Sequence, residues 1–375
     1  MLKKLVCLPV VAAGFSAACA AAPLTVVVFP RGNQDAMTNA YVAPFRKATG
    51  SEVTVYSYDG ETAELREMTA AKKTTWDVMQ VETRTLELGC ESGLFEKIDP
   101  KKIEQLGNLV PGSVSECGVA NFMWSQAIAY NTTAVHGKLQ SWADFWDLKR
   151  FPGKRGLRRS AKYTLEIALM ADGVAPHDVY RVLATPEGVD RAFRKLDQIK
   201  ADVVWWEAAP QPALFLEANK VAMSSSYTLY VDREIRHGKP IALAWNGSIY
   251  DFDHLAIPNG SPNAASAYRF INFASRPDRQ KAFADEILYA PVNMKALATL
   301  SPARLEMTPS TSAHRKVALP LNIPFWIQYG PQLEARFAKW APEVVRQEVE
   351  DHDDSPPVNG PGAEHDHDHG GSHAH

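Results

Sequence analysis

The feature that most constrains this chain is an alternation of β-branched runs with helix-patterned segments that occurs once, stops, and starts again. Thr25-Val26-Val27-Val28-Phe29 reads as a buried strand, closed by Pro30-Arg31-Gly32. A helix is predicted over residues 35–49, with Met37, Ala40, Tyr41 and Phe45 on one face and Gly50 at its stop. Strand 52–58, helix 61–73 and strand 76–81 follow. A β-α-β-α-β run predicts a mainly parallel sheet flanked by helices. After Asn131 the alternation resumes. Ser141 reads as the N-cap of an aromatic helix holding Trp142, Phe145 and Trp146. Helices are predicted over 164–172, 186–200 and 211–219, and strands over 203–206, 221–224, 241–245 and 255–257. From Asn263 onward the pattern is mostly helical, ending in a helix over 331–349 with Leu333, Phe337 and Trp340 in one stripe. Two α/β units without a long linker predict two lobes joined by strands, with a cleft between them. Ligands of open α/β sheets bind beyond the carboxyl ends of strands, so those ends hold the candidate site.

Composition fits that plan. A chain of 375 residues suggests about two domains. Nine Trp, fifteen Phe and twelve Tyr need an interior, which excludes disorder throughout. The net charge is −3, and the body over 21–350 is near neutral, so no nucleic-acid partner is expected. Residues 1–20 read as a signal peptide, with Lys3 and Lys4, a short apolar core, and Ala18-Cys19-Ala20 as the cleavage site. Beyond it, no run approaches the ~18 apolar residues that a spanning helix needs. A periplasmic address is expected. Cleavage would leave Cys90 and Cys117 as the mature cysteines, and two cysteines in an oxidising compartment predict a disulfide. No histidine lies near them to favour a metal site.

Catalytic signatures are missing: no G-x-S-x-G, H-E-x-x-H, G-x-x-x-x-G-K-[ST] or G-x-G-x-x-G. Binding is therefore expected over catalysis, and no enzyme activity is assigned. The segment Leu255-Ala256-Ile257-Pro258, with Ser261-Pro262-Asn263-Ala264-Ala265 after it, resembles the bacterial extracellular solute-binding proteins of ABC importers. Ala267-Tyr268-Arg269-Phe270-Ile271-Asn272-Phe273 and Tyr289-Ala290-Pro291-Val292-Asn293 continue the likeness, which is strongest to the spermidine/putrescine-binding group and spans about residues 24–340. The resemblance implies a two-lobed clamshell: residues 21–130 plus 254–300 as lobe 1, and 131–253 plus 301–350 as lobe 2. It also implies a monomer that delivers a small amine-bearing, polyamine-like solute to an inner-membrane permease.

By that resemblance Asp253 is the amine-holding carboxylate, Tyr227 an aromatic wall, and Glu82 a cleft residue. Asp251 takes a position that is aromatic in the relatives, and Tyr250 could supply the ring. Glu207 and Trp206 extend the set, since carboxylates paired with aromatic faces suit an alkylammonium. The relatives' acidic pair at the start of the second lobe is replaced by Arg158-Arg159-Ser160-Ala161-Lys162-Tyr163. Arg159 and Tyr163 then predict a clamp for a carboxylate, because guanidinium presents a bidentate fork. A zwitterion or anion receptor is the alternative within the class, and an extracytoplasmic enzyme the alternative outside it. Residues 351–375 read as a disordered tail. His365, His367 and His369 alternate with acids there and His373 and His375 follow, a pattern suited to a divalent transition metal, and a metal-buffering role is a further alternative. No other cofactor is expected.

Overall fold

The computed structural model describes residues 23–341. The expected signal peptide, the His/Asp-rich tail and the end of the last predicted helix lie outside the described residues. Ten strands form one continuous sheet. They are β1 (Leu24–Val28), β2 (Val53–Ser57), β3 (Val78–Glu82), β4 (Gly118–Asn131), β5 (Arg155–Arg158), β6 (Val203–Trp206), β7 (Met223–Tyr227), β8 (Ile241–Ala256), β9 (Ala290–Pro291) and β10 (Leu319–Pro320). The order is β2-β1-β3-β8-β4-β7-β5-β6, with β9 on β4 and β10 on β8.

The outer parts of the sheet are parallel, as the alternation predicts: β1 pairs with β2 and β3, and β5 with β6 and β7. Its centre is antiparallel. β8 runs against β3 and β4, and β4 against β7. The two long strands β4 and β8 therefore carry one α/β half on each side.

Two large apolar cores hang on these strands. One gathers Val26, Tyr41, Phe45, Phe270 and Phe283, and receives Phe122 and Met123 of β4 and Phe252 and Leu255 of β8. The other gathers Trp142, Phe145, Leu169, Phe193 and Phe337, and receives Ile128 of β4 and Ala244 and Ile249 of β8. β1 shows the continuous apolar run of a strand covered on both faces.

Local signals set several element ends. The helical stretch from Gly32 contains a π-helical turn over Thr38–Val42 and stops at Gly50, whose φ of 67° suits a residue without Cβ. Ser141 caps its helix as predicted. Its hydroxyl accepts from Ala143 N, and the Asp144 carboxylate accepts from Ser141 N.

Three readings change. β4 was not anticipated as a strand. The predicted strands 241–245 and 255–257 are the ends of one strand, β8. The last helix spans Ile323–Trp340, with Pro331 inside it rather than at its start.

Cys90, in the helix Thr83–Glu91, is bonded to Cys117, the residue before β4, with Cα atoms 5.8 Å apart. The bridge staples the helix that follows β3 to the entrance of β4. Closing a loop with a sequence separation of 27 restricts the unfolded chain by about 3–4 kcal/mol. Replacing both cysteines by Ala should lower the free energy of unfolding by an amount near that value, read from denaturant titration. Thiol titration of the unreduced, denatured exported protein should find no free Cys90 or Cys117. Two reactive thiols would remove this account of the staple.

Candidate ligand-binding site

A cavity of about 640 Å³ opens where β3, β4 and β8 meet the ends of β5 and β7. One wall is acidic by construction. Glu82 ends β3 directly opposite Asp253 of β8, and Asp251 lies two residues back, on the same face of the strand. On the other side of β8, Phe122 of β4 faces Asp253 and Trp124 faces Asp251. Asp251 is held by Thr83 Oγ1 and Phe252 N, each donating to Oδ1 over 2.8 Å. Burial raises its carboxyl to about 7, against those two donors and Lys162, and Glu82 adds to the rise. Asp253 is 4% exposed, and its Oδ1 accepts no hydrogen bond from the described residues. Burial pushes its carboxyl well above the usual range, Glu82 and Asp251 add to this, and a Gln80 contact opposes it.

The facing wall is basic and aromatic. β5 ends at Arg158, whose Nη1 donates to Tyr227 Oη over 3.1 Å. Its guanidinium lies 5.3 Å from the Tyr163 ring centre and 5.8 Å from that of Trp206. Trp124, Tyr163 and Tyr227 contact one another at 5.6–6.4 Å between ring centres, and Trp206 meets Tyr227 at 6.2 Å. The cationic place in this aromatic group is thus filled by the protein's own arginine. Lys162 reaches the same space, 5.2 Å from the Tyr163 ring centre. Burial lowers its ammonium pKa, and Asp251, Glu166 and Glu82 oppose that shift. Tyr163 has a φ of 74°, a left-handed conformation that costs a non-glycine residue about 1–3 kcal/mol.

Of the nine residues singled out from sequence, Glu82, Tyr163, Glu207, Tyr227, Asp251 and Asp253 line the cavity. Arg159, Trp206 and Tyr250 are not among its lining residues. Arg159 sits 3.6 Å from the Glu207 carboxylate, and Arg158 is the arginine that meets the cavity. Trp206 is fully buried behind Arg158. Tyr250 precedes Asp251 by one residue, so the strand turns it to the opposite face, where it packs edge-on against Phe252. Sequence reasoning did not select Arg158, Lys162, Trp124 or Tyr289. Tyr289 lines the cavity and stacks on Phe122 with ring centres 4.0 Å apart. Among the described residues, no group of three or more His, Cys, Asp or Glu is placed to hold a metal ion.

The family described as bacterial extracellular solute-binding protein matches residues 40–310. The chain belongs to that family. A gamma-aminobutyric acid-binding protein of Pseudomonas aeruginosa is 45% identical over 318 residues, covering 85% of this chain and 90% of the relative. The spermidine/putrescine-binding periplasmic protein of Escherichia coli is 27% identical over 278 residues, covering 70% of this chain and 78% of the relative. A solved structure described as a GABA receptor superposes with a TM-score of 0.74 at 28% identity, covering 87% of this chain and all of that one. This solute-binding protein has the two-lobed periplasmic binding fold, and it is the solute-binding component of an ABC importer. Its relatives are substrate-binding proteins rather than enzymes. Among the described residues, no helix is long and apolar enough to cross a membrane.

The acidic wall has a pH signature. In the folded, ligand-free protein Asp251 keeps its proton up to about 7, whereas the unfolded chain releases it near 4. Stability from this group therefore falls as pH rises from about 4 to about 7, and the penalty is complete above that. Asp251→Asn should stabilise the ligand-free protein at pH 8 by roughly 1–3 kcal/mol, since each pKa unit is worth ~1.4 kcal/mol before relaxation. The gain should vanish at pH 4. Thermal melts of both proteins across pH 4–8 measure it, and a pH-independent difference would count against the burial argument.

Proposed function

We propose that this solute-binding protein captures a small zwitterion with an ammonium at one end and a carboxylate at the other, an ω-amino acid of the γ-aminobutyrate class. The observation that carries the reading is the opposition of buried Asp251 and Asp253 to Arg158 and Lys162 across one cavity. An ammonium meets the free lone pair of Asp253, and charge-assisted hydrogen bonds of this kind are the strong ones. A carboxylate meets Arg158 and Lys162. A ligand bearing amines alone would instead bring cations toward two half-buried cations. The names of the Pseudomonas aeruginosa relative and of the receptor structure support the same class.

The polyamine-like solute expected from the sequence is kept as the second reading. The acids lining the cavity outnumber the bases, and the relatives at 27% identity are named for spermidine and putrescine. In either case the lobes are taken as 21–130 with 254–300 and 131–253 with 301–350. Their closure over the ligand in a monomeric receptor is the state that an inner-membrane permease reads.

Calorimetry with γ-aminobutyrate and putrescine separates the readings. Wild type should prefer γ-aminobutyrate. Asp253→Asn should cost about 2–5 kcal/mol of binding. Arg158→Gln should cost a similar amount, with Arg159→Gln far milder. Tighter binding of putrescine, unaffected by Arg158→Gln, would replace the zwitterion with the polyamine.

The tail carries a separate proposal. His365, His367, His369, His373 and His375 bind a divalent transition metal as neutral imidazoles. Zn²⁺ binding at pH 7.5 should disappear on truncation after Glu350 and weaken at pH 5, where the imidazoles protonate. Zn²⁺ binding that survives truncation would remove the tail from the account.

A further inference from the structure

The turn that carries Lys162 and Tyr163 into the cavity is not held by its own helix. Lys162 and Tyr163 lie within the helix Ala161–Ala171 but depart from helical geometry, with Lys162 at φ −60°, ψ 131° and Tyr163 at φ 74°, ψ −42°. A left-handed conformation at a large aromatic residue persists only where the surroundings over-determine it. The first amides of the helix also have no partner within it and need an acceptor from elsewhere.

Both requirements are met by one side chain from the far end of the chain. Glu334, in the helix Ile323–Trp340, accepts from Ser160 Oγ at 2.7 Å and from Lys162 N at 3.1 Å through Oε1. Through Oε2 it accepts from Ala161 N at 2.9 Å. Three donors on three consecutive residues close on one carboxylate, just ahead of the helical stretch that runs on from Thr164. The same two helices are tied again deeper in the core, where Trp326 Nε1 donates to the buried Glu166 Oε1 over 2.7 Å. The helix bearing Glu334 is thus fixed against its target, so its carboxylate acts as a rigid template for the turn.

We propose that Glu334 is a positioning residue for the anion end of the cavity: its carboxylate folds residues 160–163 so that Lys162 and Tyr163 face a ligand carboxylate. This rests on the zwitterion reading above for the identity of the ligand, but the hold of Glu334 on the turn does not. Glu334 itself is not a ligand contact, since it is not among the residues lining the cavity. Its effect passes through the conformation of the turn. Loss of Glu334 should therefore weaken binding of a carboxylate-bearing ligand more than binding of the same amine without that charge.

The test compares wild type, Glu334→Ala and Glu334→Gln with γ-aminobutyrate and its carboxamide, 4-aminobutanamide, which keeps the ammonium and lacks the carboxylate, by calorimetry. Melting temperatures and amide hydrogen exchange at Ala161 and Lys162 accompany each. Glu334→Ala should weaken γ-aminobutyrate at least ten-fold, leave the amide within about three-fold, and speed exchange at both amides. Glu334→Gln keeps one acceptor oxygen for Ser160 and Lys162, so it should fall between the two. Equal loss for both ligands, tracking the melting temperature, would make Glu334 merely structural and overturn the proposal. Unchanged γ-aminobutyrate binding in Glu334→Ala would overturn it too. If wild type binds no γ-aminobutyrate, the ligand reading falls. Exchange at Ala161 and Lys162 then decides the positioning role alone, and wild-type protection in Glu334→Ala would end it.

Discussion

The pairing of β4 with β8 is the constraint on which the rest of the structure depends. Each strand is long enough to contribute side chains to both large cores, so the two α/β halves share one hydrogen-bonded spine. The register is interrupted between Ala120 and Phe122 and again between Gln126 and Ile128. Such irregularities bend a strand, increase its twist and re-aim its side chains. They bracket the segment, Phe122 to Ser125, that lines the cavity. The strands therefore join the halves, give the spine places to bend, and set Trp124 and Phe122 opposite Asp251 and Asp253. A shift of one residue in this register would turn both aspartates to the opposite face.

Two buried cations outside the cavity show how the scaffold accommodates charge. Arg155 is fully buried, and its guanidinium donates to the carbonyls of Phe145, Gly153 and Phe151. Arg304 pairs with Asp232 at 2.5 Å and also donates to the Tyr289 carbonyl. These groups are satisfied, as buried polar groups generally are. Asp253 keeps an oxygen without a partner among the described residues. Leaving a buried acceptor unmet costs the folded protein about 1–3 kcal/mol, more for a charged group. The ammonium of the proposed zwitterion would recover that cost on binding. Glu166 Oε2 in the scaffold also lacks a partner among the described residues, so what distinguishes Asp253 is that its unmet oxygen belongs to a residue lining the cavity.

Much of the fold was legible because the outer strands and most helices carry local signals. β6 is read to the residue, and the Ser141 cap and the start of helicity at Thr164 follow from nearest neighbours. The central strands escaped for a physical reason. Residues of β4 are buried along nearly its whole length, so neither alternation nor turn residues mark it. β8 runs on through Asn246-Gly247, where its register with β4 is interrupted. A Cβ at Gly247 would come within 2.7 Å of the Trp142 ring, and φ there is 75°. The glycine thus serves close packing rather than chain reversal. Arg158 and Arg159 are adjacent, and only the parallel register of β5 with β6 and β7 decides which of them meets the cavity. Lys162 and Tyr163 depend on Glu334, more than 170 residues away in sequence, which no local pattern reveals.

For the proposed zwitterion, what matters is where the ionisable groups lie rather than their total. Five acids and three bases line the cavity, and that count alone would favour a dication. Asp59, Glu82, Glu207 and Arg84, however, are exposed, and water screens their interactions over a few ångströms. The groups withdrawn from water are Asp251 and Asp253 on one side and Arg158 and Lys162, half-buried, on the other. Within that set two carboxyls face two cations; burial favours the protonated carboxyls in the ligand-free protein, and an opposite charge brought beside them favours their ionised form. Lys162 already feels Asp251 and Glu82 across the cavity. A zwitterion exchanges these internal attractions for matched contacts at both of its ends and adds no net charge to the desolvated space. A dication would have to overcome two protein cations there, and a dianion two protein carboxylates. In low dielectric, like charges at such separations repel strongly enough to dominate selectivity.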